Sequence, residues 1–402
     1  MAASGYTWVF WTLLLPTAGG LVCGVLIEYV APRARGSGIP LVKVAFARSS
    51  TIHARDSFWK FVISSLQLGS GASLGREGPT VQICAGISAL FGRAVGISHA
   101  SQRRLLPVGA AAGIAAAFNA PIAAVTFTIE EVVGHLDQAV LSGVIVAAAL
   151  AAVIERSVLG EHAVFDVPSS YGLAHASSLL IYAFIGLAAA VTSIAFTDFL
   201  LWLRGRFSGL KCVPAWAKPA MGGAVTGLLA IAALAVLGTH GITGGGYVTL
   251  SQALSGQLAT RVMLALSAMK LLSTTFSYAS GGAGGVFAPT LFIGGMLGGA
   301  IGVLDNLLLG HAEQSVGAFA LVGMGAAFAG VIRAPITSVL IIIELTHGYS
   351  LILPLMIANM TAYALARHWR PHSLYEELLA QDGISLESGH TTHHSSRQPG
   401  TS

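Results

Sequence analysis

Gly75-Arg76-Glu77-Gly78-Pro79 decides how this chain is read. It sets two charges on a turn broken by glycine and proline, between segments that are otherwise apolar. An ionisable side chain at bilayer depth is expensive, so by default it marks a functional site. The glycine and proline expose free backbone N–H groups at a helix start, where an anion is welcome. A carboxylate that can occupy an anion site is a ready-made gate.

The composition around the motif is that of a membrane protein. The chain is 54% hydrophobic and 9% charged, with a mean hydropathy of +0.75. A soluble domain carries roughly 25% charged residues. Forty-nine glycines are too many for plain spanning helices. They suit close helix packing and interrupted helices, which lipid tolerates where protein or a water-filled cavity covers the freed backbone. The net charge of +4 sits in short loops and reads as orientation bias, not nucleic-acid binding. Cys23, Cys84 and Cys212 have no metal spacing, and two lie in apolar runs where packing is their expected role.

The first apolar run, Tyr6 to Val30, is long enough to span and too long for a signal peptide. Six basic residues (Arg33, Arg35, Lys43, Arg48, Arg55, Lys60) then stand against Asp56, which places residues 31–60 in the cytoplasm. Met1 is thereby expected outside, unless the recorded start lies downstream of the true one. Long runs follow at Gln138–Ile154, Leu179–Leu203 and Ala217–Leu237. Shorter ones bounded by Gly or Pro lie at Pro79–Leu90, Leu105–Phe118, Pro121–Val133, Pro289–Ala300, Val316–Val331 and Pro335–Leu345. Such lengths do not cross about 30 Å upright, and predict half-length helices meeting near the midplane. The last short segment is Ser373–Ala380, and residues 381–402, with His390, His393 and His394, read as a solvated disordered tail. No soluble regulatory domain is expected after it.

An internal repeat supports the broken-helix reading. Ala120-Pro121-Ile122 matches Ala334-Pro335-Ile336 at an offset of 214, and Ile129-Glu130 then pairs with Ile343-Glu344. At an offset of 210 the stretch Gly75–Thr80 faces Gly285–Thr290. Two copies of one element set with broken helices are the sequence sign of a repeat-built transporter. The expected unit is residues 1–380, with halves of about 1–160 and 175–380.

Together with Gly36-Ser37-Gly38-Ile39-Pro40 and Gly284-Gly285-Val286-Phe287-Ala288-Pro289, the opening motif resembles the CLC family of chloride channels and proton-coupled chloride antiporters. The resemblance runs from about Tyr6 to Ala380. It implies an all-α polytopic membrane fold of two inverted repeats, in a homodimer with one anion pathway per subunit. It also implies a plasma membrane location (the inner membrane in a bacterium), with chloride and protons as ligands and no cofactor or metal. Ser37 of that motif is implied to bind chloride near the inner end of the path, beside Gly38 and Ile39. Glu77 is implied to be the external gate, flanked by Arg76 and Gly78. The backbone around Val286, Phe287 and Ala288 completes the anion sites, and the Tyr375 hydroxyl faces Ser37. Glu131 matches the internal proton-transfer glutamate. One departure is that family members usually carry a cytoplasmic helix and a further span before the one at Tyr6–Val30.

The chemistry stands without the family. A transported anion must bind well enough to enter and weakly enough to leave. Helix N-termini, amides and hydroxyls supply partial positive charge without a trapping Lys or Arg. On residue type alone Ser37 is also an ordinary N-cap, and Tyr375 an interfacial anchor. Glu130 and Glu344 are mates and read as structural. Glu131 faces Leu345 and Glu77 faces Phe287, so both unmatched acids are where function breaks the symmetry. Arg76 is expected to hold loop carbonyls, while Lys60 is either a buried source of positive field or a snorkelling loop end. Chloride–proton exchange is the expected activity, with a chloride channel or a fluoride–proton antiporter as alternatives. Ser37 argues against fluoride, because the fluoride exporters resemble the family with another residue there. An intramembrane enzyme would need a Ser–His pair on neighbouring spans.

Overall fold

In hydrocarbon each backbone N–H and C=O needs a partner within its own segment, so apolar runs fold as helices. A computed structural model describes residues 7–160, 165, 171–173, 175–311 and 315–385, and their named elements are helical. Met1 and the histidines of the tail lie outside the described residues. The first half contains α1 (Thr7–Tyr29), α2 (Ile39–Ala47), α3 (Ala54–Gly69), α4 (Glu77–Ala94), α5 (His99–Phe118), α6 (Pro121–Phe127) and α7 (Gln138–Leu159). A single long helix, α8 (Leu179–Gly209), connects to α9 (Lys218–Ala232), α10 (Tyr247–Leu254) and α11 (Thr260–Ala279). The chain continues through α12 (Phe287–Leu309), α13 (Val316–Ile332), α14 (Pro335–Thr346), α15 (Ile352–Trp369) and α16 (Leu374–Gln381).

Six of the described helical stretches are long and apolar enough to cross a membrane. Their outer faces show large apolar side chains such as Trp11, Val153, Leu180 and Val236 to the surroundings, which water would penalise and lipid does not.

The half-length expectation holds for α6, α13 and α14, but not everywhere, and α2 and α10 are short helices that the apolar runs did not indicate. α4 has 18 residues, α5 has 20 and α12 has 23. The apolar run understated them because their ends carry Arg, Gln and Asp that still fit helical geometry. α11 was hidden for the same reason: Arg261, Lys270 and a series of Ser and Thr interrupt its hydropathy. Residues 31–60 are likewise no simple loop, since α2 and the start of α3 lie within them. The polar tail also begins later than expected. Gln381 closes α16 and donates to the Leu201 carbonyl, and Asp382 pairs with Arg204 at 2.7 Å.

The two halves satisfy each other's helix ends. Glu344 on α14 accepts from the N–H groups of Ile122 (3.0 Å) and Ala123 (2.7 Å) at the start of α6. Glu130, on the π-helical turn Thr128–Val133 that extends α6, accepts from Ile336 (3.2 Å) and Thr337 (2.8 Å) at the start of α14. Each mate therefore caps the other's helix, which is the structural role their symmetry implied. The pairs α4–α5 and α12–α13 pack as counterparts. In the second pair Gly294 and Gly323 face each other so closely that a Cβ on either would collide with the other's carbonyl oxygen.

Glu344→Ala and Glu130→Ala are each expected to destabilise the fold by about 1.5 kcal/mol, the scale of a lost charged hydrogen bond. Thermal unfolding in detergent reads this as a lower midpoint in both variants. An unchanged midpoint would reject the reciprocal capping.

Candidate functional site

Three loops built from the glycine motifs meet inside the fold. Gly75 and Gly285 exchange N–H···O bonds of 2.7 Å in both directions. Gly36 donates to the Gly282 carbonyl at 2.9 Å and accepts from Gly284 at 3.1 Å. These bonds bring the N-termini of α2, α4 and α12 to one place, and their dipoles with them. Close approach explains the sequence here. A Cβ at Gly78 would overlap Ser37 Oγ and sit 2.7 Å from the Ser37 carbonyl oxygen.

The structure brings together Ser37, Gly38, Ile39, Glu77, Gly78, Val286, Phe287, Ala288 and Tyr375, all buried. Ser37 is not the N-cap of α2. That place belongs to Gly38, in left-handed conformation at φ 98°, and no side chain caps the helix. Tyr375 is fully buried, not an interfacial anchor. Ser37 Oγ and Tyr375 Oη are each buried without a hydrogen-bond partner among the described residues. Buried hydroxyls are nearly always bonded, so two such groups in one site ask for an acceptor.

Glu77 opens α4 and is 1% exposed. Its Oε2 accepts from the Ala288 N–H at 3.4 Å, and its Oε1 accepts from the Tyr247 hydroxyl at 2.6 Å. Phe287 packs against Phe118, Phe127 and Phe328 with ring centroids 4.8, 5.9 and 4.3 Å away. Arg76 donates to the Ala117 carbonyl at 3.1 Å, as a loop-holding residue would. It is tied to protein, and its charge reaches the site as field.

Lys60 is fully buried and donates to the carbonyls of Ala34 (2.8 Å) and Gly36 (2.6 Å), so it is no snorkelling loop end. Lys270 is its counterpart at an offset of 210. It holds the carbonyls of Gly241, Ile242 and Gly244 at 3.1, 3.0 and 2.5 Å. Reading the sequence by apolar runs missed Lys270. Extending the offset of 210 by fifteen residues would have found it.

Glu131 lies apart from Glu77, on the π-helical turn. It is buried and paired with Lys43 of α2 at 3.0 Å, while Lys43 also reaches Glu376 of α16 at 3.2 Å. Their side chains are 4%, 13% and 40% exposed in that order, a charged series from interior to surface. Burial works to raise the Glu376 carboxyl, but the Lys43 ammonium and the Ser373 N–H hold it below its ordinary value. A cavity of about 400 Å³ leads to Ser37, with Arg33, Arg35, Arg204 and Lys218 in its walls and Tyr278 beside the serine. Sequence reading counted Arg33 and Arg35 as loop charge and passed over the other two.

The Ser–His pairing of an enzyme has a faint counterpart at the start of α8. His311 meets Ser177 at 3.4 Å, but Ser178 (3.2 Å) and Asp305 (3.1 Å) converge on its Nδ1. Sharing that nitrogen suits a structural link between α8 and α12 better than a relay, which needs the acid alone there.

A family model described as voltage gated chloride channel matches residues 19–367. The chain belongs to that family. It is 35% identical over 377 residues to a protein named as a ClcB-like chloride channel from Ralstonia nicotianae, covering 92% of this chain and 86% of that one. It is 32% identical over 378 residues to the H(+)/Cl(-) exchange transporter ClcA of Vibrio campbellii, covering 91% and 78%. Among solved structures it resembles a slow cyanobacterial Cl-/H+ antiporter at a TM-score of 0.86 and 27% identity, over 96% of this chain and 89% of that one. The fold expectation of a CLC-like polytopic bundle is therefore met, and the relatives are transport proteins.

Gly78→Ala is expected to weaken chloride binding at least tenfold by pushing Ser37 Oγ aside. Calorimetry with chloride on the purified variant measures it. Wild-type affinity would separate Ser37 from the anion site.

Proposed function

We propose that this chain exchanges chloride for protons across a bacterial inner membrane as a homodimer, each subunit carrying its own pathway within residues 1–380. The observation that carries the reading is the convergence of two unpartnered buried hydroxyls, Ser37 and Tyr375, with three helix N-termini and a carboxylate lodged at the same place. Chloride binds Ser37 Oγ, Tyr375 Oη and the amides around Phe287. Glu77, when ionised, competes for the anion seat at Ala288 N–H, and when protonated it leaves the seat carrying a proton. Arg76, Lys60 and Lys270 bias the path toward anions without touching them, so no fixed cation traps the ion. The basic cavity at Ser37 concentrates chloride on the cytoplasmic side. Glu131 takes protons from that side, with Lys43 and Glu376 between it and water.

The name of the Ralstonia relative favours a second reading, a chloride channel of the same fold. Glu131 argues against it, since it matches the proton-transfer glutamate that channels of the family usually lack. Recording chloride and pH together in proteoliposomes decides between them: a chloride gradient that drives protons uphill means antiporter, and chloride movement alone means channel.

Glu77→Gln is expected to keep chloride flux while abolishing coupled proton movement and its pH dependence. Continued proton pumping in that variant would remove Glu77 from the gate. Glu131→Ala is expected to lose proton coupling while still passing chloride, whereas Glu130→Ala keeps the coupling ratio. The opposite pattern in paired flux recordings would transfer the inner proton role to Glu130.

A further inference from the structure

Tyr247 is the first residue of α10, following Gly246 in left-handed conformation at φ 80°. At an offset of 208 its counterpart is Ile39, the first residue of α2, following Gly38 in the same conformation. The two helix starts are built alike down to the lysine clamps beneath them, because Gly36 and Gly244 carry corresponding carbonyls held by Lys60 and Lys270. They differ in what they present. Ile39 is a buried apolar side chain, whereas Tyr247 carries a phenol into the gate of the other half.

That phenol is held in place. Phe165 lies 5.9 Å from its ring centroid, and the Arg76 guanidinium lies 5.9 Å over the ring while bonded to the Ala117 carbonyl. Its hydroxyl donates to Glu77 Oε1 at 2.6 Å, shorter than the 3.4 Å from the Ala288 amide to Oε2. A bond of that length to an ionised acceptor is of the strong class, and a neutral carboxyl accepts it less well.

We propose that Tyr247 is a positioning residue that latches the Glu77 carboxylate in the anion seat and sets how fast the gate leaves it. The inference rests on Glu77 being the gate and goes beyond that reading by giving the gate a specific restraint. The latch favours the ionised form, so proton arrival and latch release are one event. Around the same site stand the Ala288 N–H, which stays bonded to Glu77, Tyr375 on α16, Arg76 at the N-cap of α4, which lies over the Tyr247 ring, and Lys270 on α11, which braces the loop before α10. Removing the phenol leaves the charged gate with one donor fewer. Glu77 then yields the seat to chloride sooner.

The test is Tyr247→Phe, which keeps the ring and its packing, reconstituted in liposomes beside wild type, Glu77→Ala and the double variant. Expected in the single variant are a turnover raised about tenfold, the factor carried by one strong hydrogen bond, and a pH profile of exchange shifted upward. Expected on the Glu77→Ala background is no effect of Tyr247→Phe on chloride flux. A single variant with wild-type rate and profile overturns the latch, as does an equal acceleration with and without Glu77, which would make Tyr247 a wall of the pathway. A wild type that moves chloride without protons refutes the antiport reading separately. The latch is then judged on chloride rate in the same four proteins.

Discussion

A helix that starts or stops inside a bilayer leaves backbone groups that water cannot reach, and everything in this structure answers that constraint. The answer is reciprocal. α6 begins on the carboxylate of Glu344, and α14 begins on that of Glu130. The loops before α4 and α12 close on each other through Gly75 and Gly285. The loops before α2 and α10 have their carbonyls drawn onto Lys60 and Lys270. Gly36 donates to the Gly282 carbonyl, and Gly244 donates to that of Ala72, the same bond made twice across the pseudo-twofold relation. The lysine clamps act within one half each, but the other bonds run between the halves, so the broken helices depend on each other.

This reciprocity creates the anion site as a by-product of its geometry. The residues before α2, α4 and α12 cap none of these helices with a side chain, and the three N-termini meet at one place. Cations are kept one layer back, each occupied by protein oxygen: Arg76 on Ala117, Lys60 and Lys270 on loop carbonyls. Their charge is felt through the low-dielectric interior while their donors are spent, which favours anion entry without a deep trap.

Much of this was legible in the sequence because the constraint writes itself in residue types. Glycine and proline mark each helix start, and the shared Pro121 and Pro335, with Glu130 and Glu344, gave away the repeat. What stayed hidden has physical reasons. Hydropathy shows α11 only faintly, because Lys270 and its Ser and Thr neighbours are buried polar groups bonded to protein, not to water. Helix ends of α4, α5 and α12 ran past their apolar runs because helix geometry tolerates polar residues there. Lys43 read as loop charge, although it is buried between Glu131 and Glu376, since a single sequence does not show which carboxylate folds against which ammonium. The pairing of Tyr247 with Glu77 spans 170 residues and no local pattern announces it.

The repeat also shows where chemistry was added to architecture. Positions that keep their symmetry, such as Glu130 with Glu344 and Lys60 with Lys270, make the same bonds in both halves and hold the fold. Positions that break it are those given a transport role in the proposal: Glu77 against Phe287, Glu131 against Leu345, Ser37 against Gly245 and Tyr247 against Ile39. A symmetric site would present the same groups to both sides of the membrane. Exchange of an anion for a proton needs a titratable group at one end of the anion path and a second one reached from the other side. Replacing one member of each matched pair supplies that polarity while leaving the reciprocal scaffold intact.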